Sequence, residues 1–232
     1  MKLNGLPLLI AVFLPAAFAQ HEKPGAGPTA QQVIERLRHG NDEYAAGRID
    51  TSRITVKQRS EVAQGQHPIA TVLTCADSRV PPEAIFGQGL GDLFVVRVAG
   101  AVASPPVLGS IEYAAQHLGS RVVIIMGHTS CGAVKAVLDK KTPPAQPEPA
   151  GANLESLLVS LRPALGRPQT HGDAWTSAVY ASVDQTMEDM RRGSPVLRKM
   201  ETDGALTLVG AVYELQTGRV VFSKPLAVRA AH

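Results

Sequence analysis

The sequence of 232 residues is 44% hydrophobic, which is enough to bury one good core, so a single folded domain is the first expectation. The formal net charge is only +3, and aromatic residues make up 4% of the chain. Single-strand nucleic-acid binding needs basic residues interleaved with aromatic ones. The sequence has no such run, so we expect no nucleic-acid partner.

The first 19 residues have the pattern of a secretory signal peptide. Lys2 gives a short positive start, residues 6–18 are mainly apolar, and Ala17-Phe18-Ala19 places small residues beside the cleavage point. The stretch is short for a membrane span and contains two prolines, so an uncleaved anchor is the weaker alternative. We expect cleavage after Ala19, a periplasmic or secreted protein, and no membrane association after cleavage.

The mature chain is expected to begin with a disordered segment. Residues 20–28 are polar and rich in Gly and Pro, and residues 29–232 are expected to form the single domain. A capping-box pattern starts at Thr29, and the apolar spacing after it predicts a helix over residues 30–46. A shorter helix is predicted over residues 56–64.

Several apolar runs indicate strands. Residues 69–74, 93–98 and 122–126 predict buried parallel strands, and residues 205–215 and 219–222 predict an antiparallel pair. The remaining segments predict a surface loop over residues 142–151 and helices that begin near Pro82 and Pro195 or cover residues 108–118, 133–138, 153–165 and 173–190. The pattern favours an α/β fold, with a mostly parallel central β-sheet, flanking helices and a C-terminal antiparallel edge strand.

Two short motifs follow two of the predicted parallel strands. Cys75 and Asp77 form a C-x-D pattern after the first, and His128 and Cys131 form an H-x-x-C pattern after the third. In an open α/β sheet, groups at the carboxyl ends of parallel strands converge on one crevice. Cysteine sulfur, histidine nitrogen and aspartate oxygen are the ligands that zinc prefers. The sequence therefore predicts a zinc site at this edge of the sheet.

A structural disulfide between Cys75 and Cys131 is the simplest alternative for two cysteines in an exported protein. Cysteine count and compartment alone favour it. The neighbouring Asp77 and His128 reverse that preference, because a disulfide requires neither of them. A thioredoxin-like redox site would need C-x-x-C spacing, which the chain lacks.

The motifs, taken together, resemble the β-class carbonic anhydrases. The resemblance runs from about residue 29 to residue 222, and it is carried by C-A-D-S-R, L-F-V-V-R-V-A-G, L-G-S-I-E-Y, G-H-T-S-C-G-A-V and G-A-V-Y-E-L-x-T-G in this order. It implies that Cys75, His128 and Cys131 hold one zinc ion per subunit. It also implies that Asp77 pairs with Arg79 or, in a closed state, becomes the fourth ligand.

The resemblance implies reversible hydration of carbon dioxide to bicarbonate and a proton. Zinc-bound hydroxide would attack carbon dioxide, and the Asp77–Arg79 dyad would orient the zinc water. Gln66, Phe94 and Tyr113 match positions that line the substrate pocket, and the Gly132 amide matches an anion-binding donor. Ordinary packing roles remain open for these pocket residues. A homodimer or a dimer of dimers is also implied.

One departure from the family pattern predicts how Asp77 is oriented. Some bacterial members carry a Trp three residues before the first ligand cysteine, and with an Arg and a Tyr it favours the closed state. Here Arg97 and Tyr213 match, but Val72 occupies the Trp position and the only Trp, Trp175, is remote in sequence. We therefore predict Asp77 on Arg79 at neutral pH. Arg97 itself interrupts an apolar run and should have a partner or an anion.

Two other functions remain alternatives. A hydrolase of carbonyl sulfide or carbon disulfide could use the same zinc site, and the width of the substrate tunnel would decide between them. A non-catalytic zinc- or bicarbonate-binding protein could keep the ligands and lose turnover. The intact Asp77 and Arg79 argue against that last alternative, because metal binding alone requires no such pair.

Overall fold

The structure of the protein, a computed structural model, describes residues 27–139, 152–167, 169 and 171–223. The predicted signal peptide, almost all of the predicted disordered start and the predicted loop over residues 142–151 lie outside this part of the chain. No helix within the described ranges combines the length and the apolar character that crossing a membrane requires.

A five-stranded sheet with the order β2-β1-β3-β4-β5 forms the centre of the fold. The first four of these strands are parallel, and the edge strand β5 runs antiparallel to β4. The predicted fold class is therefore confirmed, including the antiparallel strand at the C-terminal edge. The strands are β1 (Ala70–Thr74), β2 (Leu93–Arg97), β3 (Val122–His128), β4 (Thr207–Tyr213) and β5 (Val220–Phe222).

Eight α-helices flank the sheet within the described residues, and most lie where the sequence predicts them. Their bounds are α1 (Ala30–Ala45), α2 (Val56–Val62), α3 (Pro82–Ile85), α4 (Pro105–His117), α5 (Gly132–Asp139), α6 (Ala152–Leu161), α7 (Ala174–Gly193) and α8 (Pro195–Thr202). The predicted start of α4 is three residues too late. Two prolines occupy its first positions, where a backbone N–H would make no hydrogen bond within the helix, so proline is tolerated there.

The central strands β1, β3 and β4 carry apolar residues on both faces and are buried on both. Strand β2, which the sequence predicted to be buried, is only partly buried, because it lies at the edge of the sheet and has a neighbouring strand on one side only. Leu73 points into a core formed with α4, α5, α7 and α8, whereas Val72 points into a second core formed with α1 and α3. Both side chains are fully buried. Parallel strands covered by helices on both faces are typically this apolar.

The close contact between α7 and the sheet depends on Gly127 in β3. A Cβ atom at this position would lie 2.8 Å from a methyl group of Val183 and 3.1 Å from one of Val179. Neither distance is tolerated without a shift, and Gly127 directly precedes His128, the last residue of β3. The glycine therefore sets how closely α7 approaches the end of β3.

We predict that Gly127→Ala destabilises the protein by about 1–3 kcal/mol, because the added methyl group overpacks this contact. Urea unfolding followed by circular dichroism measures the change. Gly109→Ala is the matched control, since Gly109 is exposed on the surface of α4 and nothing lies within 4 Å of a Cβ atom placed on it. There the same substitution should stabilise the helix by about 0.5–1 kcal/mol. Equal effects at both positions would contradict the packing argument.

The strand order creates a crevice between β1 and β3. From β1 the chain first moves to β2 on one side and then crosses to β3 on the other side of β1. The helices that follow these strands therefore diverge, and open α/β proteins bind ligands outside the carboxyl ends of strands at such a switch point. The two sequence motifs lie here, Cys75 directly after β1 and His128 at the end of β3.

Candidate metal centre

Three potential metal ligands meet at this switch point. Cys75, His128 and Cys131 are all buried, and their ligand atoms lie within 4.8 Å of one another. The sequence predicted this grouping, although it placed His128 in a turn. The structure instead makes His128 the last residue of β3, paired with Tyr213 of β4, so the imidazole is mounted on the sheet itself.

The donor set fits a zinc ion. Zinc binds cysteine sulfur at about 2.3 Å and histidine nitrogen at about 2.0–2.1 Å, so the observed cluster is close to coordination spacing. The Nδ1 atom of His128 lies 2.9 Å from the carbonyl oxygen of Thr129, which favours a proton on Nδ1 and a free lone pair on Nε2. Nε2 is buried and has no hydrogen-bond partner among the described residues. A buried nitrogen of this kind is suited to a metal.

The H-x-x-C turn is held in an unusual backbone conformation. Ser130 has a φ of 56°, in the left-handed region that non-glycine residues seldom adopt. Hydrogen bonds of the neighbouring Thr129 offset the cost of this conformation. The Thr129 N–H donates to Tyr213 O at 2.9 Å, and the Leu215 N–H donates to Thr129 Oγ1 at 3.0 Å. The end of β4 therefore fixes the turn that presents Cys131.

Cys131 occupies the N-cap position of α5. Its carbonyl oxygen accepts the Lys135 N–H at 3.0 Å, and α5 begins at the next residue. The contact with Cys75 and burial raise the pKa of Cys131, and the backbone N–H groups of Val134 and Ala133 partly offset this rise by hydrogen bonding to its thiol. A sulfur at the N-cap thus receives the positive end of the helix, which favours the thiolate.

The two thiols interact directly with each other. The hydrogen bond with Cys131 is the largest cause that lowers the pKa of Cys75 to about 4, and the same contact is the largest cause that raises the pKa of Cys131. One thiolate is therefore present across the neutral range. Ionised sulfur is the form that binds metal cations.

A backbone amide also supports Cys75. The Gly100 N–H donates to Cys75 Sγ at 3.4 Å. Gly100 has a φ of 71°, and a Cβ atom on it would lie 2.8 Å from Leu161. A glycine is therefore required on both conformational and steric grounds, and the sequence had suggested no role for it.

Asp77 and Arg79 form a bidentate pair beside the ligands. Arg79 donates from Nε to Oδ1 at 2.9 Å and from its terminal nitrogen to Oδ2 at 2.7 Å, and its backbone N–H donates to Oδ1 at 2.9 Å. The hydrogen bonds from Arg79 hold the pKa of Asp77 well below its usual range. Oδ2 of Asp77 lies 3.7 Å from His128 Nε2. An ionised carboxylate thus faces the ligand cluster, in the orientation that the sequence predicts.

Arg97 finds its partners in the backbone of the first ligand turn. Its guanidinium donates to the carbonyl oxygens of Cys75 at 3.2 Å and Asp77 at 2.6 Å. The expectation that this charged residue needs a partner or an anion is met by these two carbonyls. Arg97 therefore braces the turn that carries both the cysteine and the carboxylate.

The predicted pocket residues lie at or near the surface of the single chain. Gln66 is exposed in the loop before β1, and Gly132 is the exposed first residue of α5. Phe94 in β2 is half-buried, and its ring centroid lies 6.3 Å from that of Tyr113, which is 49% exposed. The two aromatic residues form one surface. The described contacts do not test the substrate-binding roles of these four residues, which stay predictions.

Trp175 is a site neighbour that sequence analysis treated as remote. The structure places its indole Nε1 3.0 Å from the carbonyl oxygen of Cys131, and the N–H donates to that oxygen. Trp175 is remote in sequence from both ligand motifs, and α7, which packs against β3 and β4, brings it beside residue 131. Sequence separation conceals this contact.

The fold and the site define an α/β protein with a candidate Cys-His-Cys metal site at the sheet switch point, and comparison with known proteins identifies its family. The sequence model of the family described as carbonic anhydrase matches residues 70–220. Carbonic anhydrase 2 of Mycobacterium tuberculosis is 36% identical over 199 residues, covering 85% of this chain and 94% of the relative. The carbonic anhydrase of Mycolicibacterium smegmatis is 34% identical over 198 residues, with the same coverage of both chains.

A solved structure supports the same assignment. The β-carbonic anhydrase of Coccomyxa, determined in complex with acetazolamide, aligns with a TM-score of 0.61 at 30% identity and covers 84% of each chain. The present chain belongs to the β-class carbonic anhydrases.

Proposed function

We propose that this protein catalyses the reversible hydration of carbon dioxide to bicarbonate and a proton, with one zinc ion held by Cys75, His128 and Cys131 in each subunit. The observation that carries the proposal is the juxtaposition of these three buried donors with the ionised Asp77. Family membership supplies the reaction class. Three protein ligands also leave one tetrahedral position open, as catalytic zinc sites require.

A zinc ion bound here would supply a Lewis acid that activates water near neutral pH. The protein's own residues would accept a hydrogen bond from the water molecule and orient it. The Asp77 carboxylate, kept ionised by Arg79, can only accept hydrogen bonds at its oxygens, so it fixes the direction of an O–H group beside the ligands. Arg79 also prevents the carboxylate from rotating, because it holds both oxygens at once.

The substrate surface is proposed to combine apolar rings with two polar donors. Phe94 and Tyr113 offer the apolar contact that a neutral, linear molecule such as carbon dioxide requires. The Gln66 amide and the Gly132 N–H can donate to the oxygens of bicarbonate, and Gly132 lies at the positive end of α5.

We propose that exposed Tyr113 is covered by a second subunit, in a homodimer or a dimer of dimers, and analytical ultracentrifugation tests this assembly.

Stopped-flow hydration of carbon dioxide by zinc-loaded protein tests the proposal directly. Rapid proton release is expected, with loss of activity after chelator dialysis and recovery after one equivalent of zinc per chain. Hydrolysis of carbonyl sulfide, followed as sulfide release, is measured in parallel. Zinc-loaded protein that hydrates no carbon dioxide would overturn the proposal, and selective release of sulfide would favour the hydrolase.

We further propose export. The support is the pattern of residues 1–19, with a basic start, an apolar stretch and small residues before the cleavage point. The intact mass of the mature protein recovered from the periplasm or culture medium tests this, and a chain that begins at Gln20 is expected. Recovery only of the full-length chain from the cytoplasm would contradict export.

A further inference from the structure

Trp175 joins α7 to the backbone of a proposed metal ligand. It is the only tryptophan in the sequence, and its indole N–H donates to the Cys131 carbonyl oxygen at 3.0 Å. The same oxygen accepts the backbone N–H of Lys135, also at 3.0 Å. Both lone pairs of the carbonyl are therefore used, one by α5 and one by α7.

The second hydrogen bond matters because it adds a constraint from α7 to a turn that β4, α5 and, through the Ser130 carbonyl oxygen at 3.4 Å, Arg79 already contact. Ser130, directly before Cys131, has the left-handed φ of 56°, a conformation that persists only where the surroundings impose it. The contacts of Thr129 fix the start of the turn to β4. At its end, α5 fixes Cys131 along the helix axis, and the indole is the group that reaches it from α7.

The indole itself packs against neighbouring side chains. It packs, partly buried, against the main core, and Lys135 Nζ lies 5.8 Å from its ring centroid. Helix α7 in turn packs closely on the sheet through Val179 and Val183, which contact Gly127 beside His128. The helix that carries Trp175 therefore contacts the segments that present two of the three proposed ligands.

We propose that Trp175 is a positioning residue for Cys131, which sets the direction of the thiol through its carbonyl and so strengthens zinc binding. The inference rests on the proposed function, since it assumes that Cys131 holds zinc. It also implies that the single indole reports on the site, because a change at the Cys131 backbone alters its hydrogen bond.

Zinc affinity is the first measurement. Trp175→Phe keeps an aromatic ring and removes the N–H donor, and competition against a chromophoric chelator is expected to show zinc bound about 10-fold more weakly. Lys135→Met is the matched control, because it removes the cation over the ring and keeps both hydrogen bonds to Cys131. Its zinc affinity should equal that of the wild type. Unchanged affinity in Trp175→Phe would overturn the inference.

The second measurement needs no substitution. The protein is labelled with 5-fluorotryptophan, which gives a single fluorine resonance, and zinc is titrated into the chelator-treated sample. The resonance should shift and saturate at one zinc per chain. If the chemical shift of the resonance does not change in a sample that elemental analysis shows to bind zinc, the inference is contradicted and the proposed function is left intact. Absence of zinc binding by the wild type contradicts both.

Discussion

Asp77→Asn is expected to reduce the rate of carbon dioxide hydration by about 100-fold, while the zinc content stays at one per chain. The substitution keeps the shape of the side chain and replaces a carboxylate oxygen by an NH₂ group. A group that only accepts hydrogen bonds then becomes one that also donates. Stopped-flow rates and elemental analysis of the same preparation measure the two quantities.

A large effect is expected because the structure fixes both the position and the ionisation of the Asp77 carboxylate. Both oxygens are held by Arg79, and Oδ2 lies 3.7 Å from His128 Nε2. The low pKa of Asp77, caused mainly by hydrogen bonding to Arg79, keeps it ionised throughout the neutral range. An asparagine would lose the charge, and its NH₂ group would face the guanidinium, so it would rotate or leave this position.

Two further variants serve as comparisons for Asp77→Asn. Asp139→Asn makes the same chemical change at an exposed carboxylate on α5, which pairs with Lys135, and should leave the rate unchanged. Arg79→Lys keeps the positive charge and loses the bidentate geometry, so its rate should fall between those of the wild type and Asp77→Asn. Full activity of Asp77→Asn would show that the carboxylate does not orient the reacting water.

The sheet could be predicted from sequence because its signals are local. The apolar runs that became β1, β2 and β3 are continuous, which is typical of strands in a parallel sheet covered by helices, and Gly218, with a φ of 75°, lies between β4 and the edge strand β5. The grouping of Cys75, His128 and Cys131 also followed from a general rule, because carboxyl ends of adjacent parallel strands meet at one edge.

The supports of the site could not be predicted because they depend on contacts between distant segments. Trp175 reaches Cys131 only through the path of α7, and the Gly100 N–H reaches Cys75 only because the chain turns sharply after β2. The left-handed conformation of Ser130 has no signal in the sequence, since serine does not favour it. Local patterns identified the candidate ligands, and tertiary packing determined how they are held.

Cys131→Ser is expected to weaken zinc binding by on the order of 100- to 1000-fold, because it removes one of three protein ligands from a site whose binding energy is shared among few bonds. Serine is close to cysteine in size, and its hydroxyl is a much poorer zinc ligand than a thiolate. Carbon dioxide hydration should fall to background at zinc concentrations that saturate the wild type. Zinc affinity is measured by chelator competition.

Cys131 has a second role as the N-cap of α5, and the choice of substitution separates the two roles. Serine is a preferred N-cap residue, so Cys131→Ser should retain the cap, whereas Cys131→Ala should lose both cap and ligand. The two variants should bind zinc equally poorly, and the zinc-free serine variant should be more stable to urea by about 1 kcal/mol. If Cys131→Ser bound zinc as tightly as the wild type, the sulfur would not be a ligand. If the two variants were equally stable, residue 131 would not cap the helix, because the absence of the hydroxyl in the alanine variant would then have removed no hydrogen bond from α5.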